Sequence, residues 1–434
     1  MGVLERLRNF LQDWNRWSDK YSDIMIQKEY RGSMHIIGLY PNVNKVGLFW
    51  GSFRALLVGV LLLFHTFGLV VSAVLLYDIN FIYFSTALHY VLIVGIAFLY
   101  VLYFNTNRHR FARFHTKMYF NFYDYHEEIT DEIVDLIKKG EKQKMRFTIL
   151  PMFAAFIAVC ILLVAPILDK YGTFDFDIET TINFNLPLPM VYVFDSSTGA
   201  GYFVALTHQL SSAMLCGLVL GGTGYSFIAT VSTITIQMRI LINRLDTIES
   251  RALSLYEANY GLKPNMNDYD LYRDEKFSNC MDTCLRRCVE HHKVILSNIS
   301  ELKDFFSLPL FSIFFVAALI IALAMVGSSN WKVLPGNTIV SLMLCLVEIA
   351  FLAIVSSLGQ SVTDLNEDIR NSVYGIKWYH CSKGFCLNIR ILLSKTLIPV
   401  TFTALGLIKI CHATYANIIN SAYSYYNLAS VTSS

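Results

Sequence analysis

Residues Phe305–Gly327 read FFSLPLFSIFFVAALIIALAMVG, twenty-three residues without one charge. At 1.5 Å per helical residue the stretch crosses a hydrocarbon core of about 30 Å. Six more stretches of the same kind lie around it, giving spans at 55–76, 81–104, 147–168, 201–231, 305–327, 338–360 and 397–428. They are apolar nearly all round rather than amphipathic, which suits burial in lipid or in a bundle. With 54% hydrophobic residues in 434 and a mean hydropathy of +0.46, the chain reads as an integral membrane protein. No apolar signal core precedes the first span, so that span is expected to act as the targeting signal.

The charges between the spans give the orientation. Of 35 Lys and Arg, 32 fall in alternate segments: 8 in 1–54, 9 in 105–146, 10 in 236–304 and 5 in 361–396. Lys170 and Lys332 lie in the intervening gaps, and Lys409 lies inside the last span. Basic segments stay cytoplasmic. The N-terminus is therefore expected inside and, after seven spans, the C-terminus outside. A G-protein-coupled receptor is oriented the other way, and the chain has no Asn-Pro dipeptide of the kind found in that class's seventh span.

The expected fold is an all-α membrane protein of seven transmembrane helices, some extended into a cytoplasmic anchor domain. Residues 1–54 form a cytoplasmic N-terminal segment. Residues 55–360 hold helices one to six, with cytoplasmic extensions at 105–146 and 236–304. Residues 361–396 form an anchor helix, and 397–434 the last helix and a short extracellular tail. The extensions rest on helical periodicity through Met238, Leu241, Leu245 and Ile248, and through Leu285, Val289, Ile295, Ile299 and Leu302. The last span exceeds 30 residues from Thr396 onward and is expected as one continuous helix, with Lys409 snorkelling at its inner end. The loop 169–200 is the only long one outside. Asp169, Asp175, Asp177, Glu179 and Asp195 make it either a solvated shield or an acidic collar that concentrates cations.

Catalytic signatures are absent: no phosphate-binding glycine loop, no dinucleotide fingerprint, no HExxH. Cys280, Cys284 and Cys288, followed by His291 and His292, share one helix face, yet structural zinc sites draw ligands from two separate pairs. No metal and no cofactor is expected. None of the nine cysteines sits in an outer loop, so no disulfide framework is expected. Asn298-Ile-Ser300 falls in a cytoplasmic segment and is expected to be unmodified.

Three sets of residues carry functional expectations. Glu348 in span six is an intramembrane carboxyl, protonated, paired or water-facing. Outer-half residues Tyr83, Phe84, His89, Tyr90, Leu162, Tyr202, His208, Met214, Met325, Met343 and Leu344 suit an apolar pocket with few polar groups. They also suit ordinary bundle packing. In the last span Thr414, Asn417, Asn420, Ser421, Ser424 and Asn427 recur at spacings of three and four. That polar stripe serves either hydrogen bonds within the monomer or the wall of a water-filled passage, which one helix cannot enclose. A transporter would need polar groups converging at mid-membrane, which only Glu348 approaches, or an internal repeat, which is not apparent.

Several motifs resemble those of insect odorant receptors. They are Ile37-Gly38-Leu39-Tyr40-Pro41 before span one, Gly359-Gln360, and Ser372-Val373-Tyr374 with Trp378-Tyr379. Lys395-Thr396-Leu397-Ile398-Pro399 with Thr401 and Gly406 follows, then Ala422-Tyr423-Ser424-Tyr425-Tyr426 and Leu428. Gustatory receptors end their last helix on Gln-Phe after Thr-Tyr; here Ser421-Ala422 stands in that place. The ending Val431-Thr432-Ser433-Ser434 resembles an odorant-tuning subunit rather than the co-receptor. The resemblance implies a ligand-gated, non-selective cation channel of four subunits, assembled with co-receptor subunits in the plasma membrane of olfactory neuron dendrites. It implies a volatile organic ligand, permeating cations and no nucleic acid. It also implies a pore lined by Asn417, Ser421 and Ser424, a gate at Leu428, Val431 and Thr432, and anchor contacts through Tyr374, Trp378 and Tyr379.

Overall fold

The computed structural model describes residues 32–39, 45–111, 114, 118, 122–127, 129–173, 182–261, 271–329 and 331–433, with backbone alone at 45–48, 150–152, 154, 155, 158 and 431–433. Seven long helices dominate these residues: α1 (Lys45–Leu76), α2 (Phe81–Thr106), α3 (Asp131–Asp169), α4 (Gly199–Asp246), α6 (Glu275–Ser328), α7 (Pro335–Gly375) and α9 (His412–Ser433). Shorter helices α5 (Ile248–Tyr260) and α8 (Lys383–Thr396) fill the gaps, with a 3₁₀ turn at Trp378–His380. Five of the long helices, α1, α2, α4, α6 and α7, are long and apolar enough by composition to cross a membrane. The outer faces are apolar as lipid requires: on α1, Leu56, Val60, Phe67 and Val74 are all exposed.

The extended helices are present. α4 runs 48 residues, and α6 runs 54, which at 1.5 Å per residue is about 80 Å and far beyond the bilayer. Thr247 breaks α4 from α5, and Gly261 closes α5 with φ +71°, the left-handed cap that glycine takes without strain. Pro309 inside α6 removes the N–H that would bond the Phe305 carbonyl. Tyr103 of α2 fills the gap by donating its hydroxyl to Phe305 O at 2.5 Å, while Tyr100 donates to Pro309 O at 2.7 Å. Both bonds fasten α2 to α6 where the ladder is interrupted.

α4 is the central helix. Residues from Gly222 to Ser232 are buried without interruption. Several of its hydroxyls bond their own helix, as Thr223 to Val219 O at 2.7 Å and Thr230 to Ser226 O at 2.7 Å, which satisfies them among apolar neighbours, while the Ser212 and Ser232 hydroxyls are buried without a partner among the described residues.

The continuous last helix expected from Thr396 is corrected. α8 ends at Thr396, a two-stranded hairpin follows (β1 Thr403–Ala404, β2 Ile408–Lys409), and α9 starts only at His412. Leu405 and Gly406 both have positive φ, 49° and 72°, the twist that hairpin turns require. Leu407 N–H closes the turn on Ala404 O at 3.0 Å, and Ile410 N–H extends the ladder to Phe402 O at 2.9 Å. α7 holds this segment: Asn366 donates to Thr396 O at 3.1 Å, and Thr363 to Val400 O at 3.0 Å. Gly359 fits because a Cβ there would lie 2.4 Å from Ile410 O. Lys409 therefore sits exposed on a strand, outside α9, and does not snorkel from a helix. The anchor helix expected over 361–396 is likewise two pieces, the end of α7 and α8, parted at 376–382.

The motif at 37–39 is tied to the residues just after α2. Arg108 donates to Gly38 O at 2.6 Å, and Gly38, at φ +77°, has no room for a side chain against Gly51 O. Tyr40 and Pro41 of that motif, and Asp175, Asp177 and Glu179 of the long loop, lie outside the described residues.

Candidate functional site

The bundle has a basic end, where α4, α5 and α6 meet, and a base-poor end, where α1 joins α2 and α6 joins α7. At the base-poor end residues 182–196 fold down into the bundle. Leu186, Leu188 and Met190 are 3%, 2% and 0% exposed, as deeply buried as the core of a soluble protein. Buried backbone must find partners, and the helices supply them. Gln209 of α4 grips Leu188 at both ends, accepting from its N–H at 2.8 Å and donating to its carbonyl at 3.0 Å. Ser72 of α1 accepts from Val191 N–H at 2.8 Å, and Ile182 and Val191 form an antiparallel bridge.

Beneath this loop is a pocket lined by Tyr83, Leu162, Ala165, Pro166, Asp169, Phe184, Leu186, Pro187, Pro189, Asn337 and Val340. Its free volume is ≈ 10 Å³, about the space of one water centre. Admitting anything larger requires its side chains to move. Sequence reasoning places Tyr83 and Leu162 in the lining and misses the loop and α7 residues.

Asp169 is buried, so it belongs to no solvated collar. Its Oδ1 accepts from the N–H groups of Gly336 and Asn337 at 2.7 and 3.0 Å. A carboxylate on the first turn of a helix suits the positive end of the helix dipole. The cap comes from 167 residues away in the chain, so no local pattern announces it. Asp195 does stay exposed and turns onto Ser197 at 2.9 Å.

The other pocket expectations scatter. His89 is 2% exposed and meets Glu348 of α7, Nε2 to Oε1, at 2.8 Å. Tyr90 stands beside His89, ring centroids 5.5 Å apart. Tyr90, Tyr202, Met325 and Leu344 are half-buried against the main core, and Met343 is half-buried on α7. Phe84 packs in a separate cluster with Tyr77 and Phe81. His208 meets the Tyr192 hydroxyl through Nδ1 at 2.9 Å and lies 5.1 Å from the His65 ring. Met214 is 59% exposed on α4, away from the pocket.

α9 packs on α6 and α7 through one face. Ile418 and Ala422 are buried, while Asn417, Asn420, Ser424 and Asn427 are exposed and Leu428 is 68% exposed. Ser421 lies half-buried between the two faces. Ser424 and Ser430 donate back to their own helix, to Asn420 O and Asn427 O at 2.9 Å each. The stripe therefore points away from the monomer's bundle. Val431 and Thr432 fall in the last turn of α9, where side chains lie outside the described residues.

At the basic end Glu127 gathers three arginines. It accepts from Arg251 Nε and Nη2 at 2.8 and 2.7 Å, Arg287 Nη1 at 2.8 Å and Arg244 Nη1 at 3.1 Å. Burial pushes its carboxyl up, but the bonds and charge of Arg251, with Arg287 and Arg244, outweigh this and hold it below the ordinary value. The guanidinium groups of Arg244 and Arg251 each lie 5.1 Å from the Tyr125 ring. His291 meets the Tyr125 hydroxyl at 2.8 Å and Gln237 at 3.1 Å. Burial, then the charge of His292, lowers His291 to about 3. Cys280, Cys284 and Cys288 are buried free thiols. Burial raises Cys284 to about 11, which keeps it a packing thiol rather than a thiolate. Among the described residues no set of three His, Cys, Asp or Glu side chains is placed to hold a metal. Asn298 is fully buried in α6. Beyond this region Tyr374 and Tyr379 are exposed, 69% and 65%, while Trp378 is half-buried.

Long apolar helices, a loop folded over a small pocket and a last helix with a polar face define an all-α, multi-pass membrane protein. Residues 80–423 match the family model described as 7tm odorant receptor. The fold is similar to that of the olfactory receptor OR5 from the insect Machilis hrabei in complex with eugenol, with a TM-score of 0.73 at 12% identity over 94% of this chain and 97% of that one. A second structure of the same receptor gives a TM-score of 0.72 at 13% identity, over 93% and 98%. A search of curated protein sequences finds no match. The chain belongs to the insect odorant receptor family, whose members are receptors and not enzymes.

Proposed function

We propose that this chain is the odorant-tuning subunit of a ligand-gated, non-selective cation channel. The basic end faces the cytoplasm, as the distribution of Lys and Arg argues, and the base-poor end with its pocket faces outside. A volatile, largely apolar odorant binds beneath residues 182–196, among Tyr83, Leu162 and their neighbours. Each CH₂ that it buries contributes roughly 0.8 kcal/mol, so length and shape tune affinity.

The observation that carries the channel reading is the polar face of α9. A helix whose Asn417, Asn420, Ser424 and Asn427 point away from their own bundle needs water or other subunits against them. Four such helices around an axis supply both, and Leu428, Val431 and Thr432 then stand as the outer gate. Tyr374, Trp378 and Tyr379, with the exposed Leu387 and Ile391 of α8, form the anchor surface between subunits. The partners are co-receptor subunits in the plasma membrane of olfactory neuron dendrites. Gating follows when the odorant binds the open arrangement better than the closed one.

The test is a cysteine scan of α9 in cells that also express the co-receptor. Ser424→Cys is expected to let a membrane-impermeant, thiol-reactive cation block the odorant-evoked current, whereas Ala422→Cys, on the packed face, is not. Equal insensitivity of both would remove α9 from the pore.

A further inference from the structure

We propose that Glu348 is a specificity-determining group of the odorant site, selecting odorants that carry a hydroxyl or amine donor on an apolar body. The inference rests on the odorant-site reading above and names its ligand class. Glu348 interrupts an otherwise apolar run, Leu342 to Ile354 of α7. A carboxyl at that depth is costly, and such groups persist where they do something.

Its hydrogen bonding is half used. Oε1 meets His89 Nε2 at 2.8 Å, but Oε2 is buried with no partner. Glu127 provides the internal contrast: a carboxylate in a structural role, with both oxygens taken by three arginines. A buried polar oxygen left without a donor costs free energy, and an arriving O–H or N–H group recovers it. Ethers, ketones and esters bring only acceptors and recover nothing.

Neither His89 nor Glu348 lines the pocket; both lie deeper on two helices that do. His89 lies six residues beyond Tyr83 on α2, and Glu348 eight residues beyond Val340 on α7. At 1.5 Å per residue these are about 9 and 12 Å along the same two helices from the pocket lining. Tyr90, beside His89, and Cys345, three residues before Glu348 on α7, are the other titratable neighbours. An odorant with its alkyl body among Tyr83, Leu162 and Val340 would bring its polar end towards the free oxygen.

The experiment measures odorant-evoked current from the chain co-expressed with the co-receptor. It compares n-alkanols and n-alkylamines with methyl ethers and methyl ketones of equal length. The wild type is expected to respond to the donors at lower concentrations. Glu348→Leu should raise the half-maximal concentration for the donors by about tenfold to a hundredfold, the loss expected for a hydrogen bond to a charged group, and leave the ethers within about threefold. If surface labelling shows that Glu348→Leu does not reach the membrane, Glu348→Gln carries the test. It keeps shape and one acceptor but no charge, so amines should lose more than alkanols and ethers nothing. Equal responses of the wild type to donors and non-donors, or equal shifts of both series in the variants, would overturn the proposal and leave the channel reading intact. Silence of the wild type to every odorant would overturn the channel reading, and this inference with it.

Discussion

Replacing Glu127 by Gln isolates the ion cluster at the basic end. The substitution keeps the side-chain shape and removes one negative charge. Arg244 and Arg251 keep side-chain exposures of only 6% and 8%, so water cannot take over from the carboxylate. Breaking a buried ion pair by removing one partner costs about 3–5 kcal/mol. Arg287 is 26% exposed and Glu127 itself 19%, which places the expectation at the low end, about 3 kcal/mol. For a chain of this size that is a fall of about 3 °C in the melting temperature of the detergent-solubilised receptor. The control is Glu367→Gln, a carboxylate 64% exposed in its pair with Arg370; such solvated pairs contribute little, and the shift should stay within about 1 °C. The pH dependence gives a second reading. The Glu127 carboxyl is held below its ordinary value. Its stabilisation is therefore fully present above the unfolded-state value of about 4.3 and is lost as pH falls through the lower folded value. Glu127→Gln should lack that increment of acid sensitivity. Equal melting shifts for Glu127→Gln and Glu367→Gln would refute the claim that this cluster holds 122–127 onto α4, α5 and α6.

Three further outcomes follow from the geometry. Gly336→Ala sets a Cβ 2.1 Å from the Ala165 carbonyl oxygen; backbone on both sides cannot yield, so surface expression should fall several-fold by cell-surface labelling. Gln209→Leu removes both bonds to Leu188, at about 1 kcal/mol each, and should speed amide hydrogen exchange in 186–191 without changing exchange in α5. Leu428→Ala at the exposed end of α9 should alter open probability or permeation with assembly retained, read by single-channel recording and by co-purification of the co-receptor; unchanged conductance and odorant response would exclude Leu428 from the gate.

Much of the helical frame is legible in the residues. Length and apolarity give the spans, and the 3.6-residue period through Met238, Leu241 and Leu245 carries α4 past the membrane as the structure has it. The break before α9 is not legible from hydropathy, because LIPVTFTALGLIKIC is apolar whether helical or extended. Pro399 and Gly406 carry the signal, but the hairpin is fixed by Asn366, Thr363 and Ser307 on other helices. The pocket shows the same division. Tyr83 and Leu162 stand out as apolar residues at the outer ends of spans. The loop that closes over them is set by Gln209 and Ser72, contacts distant in sequence. Asp169 looks like one more loop acid until its cap on α7 is seen. Glu348 is conspicuous in the sequence, whereas its partner His89 and its free oxygen emerge only from the fold.

The central claim is that odorant binding opens a pore made by the receptor itself. Outside-out patches from cells expressing this chain with the co-receptor test it most directly, with no GTP in the pipette. The account predicts an odorant-evoked, non-selective cation current that persists under those conditions and disappears when this chain is omitted. A response that requires cytosolic GTP, or an odorant current unchanged without this chain, would contradict it.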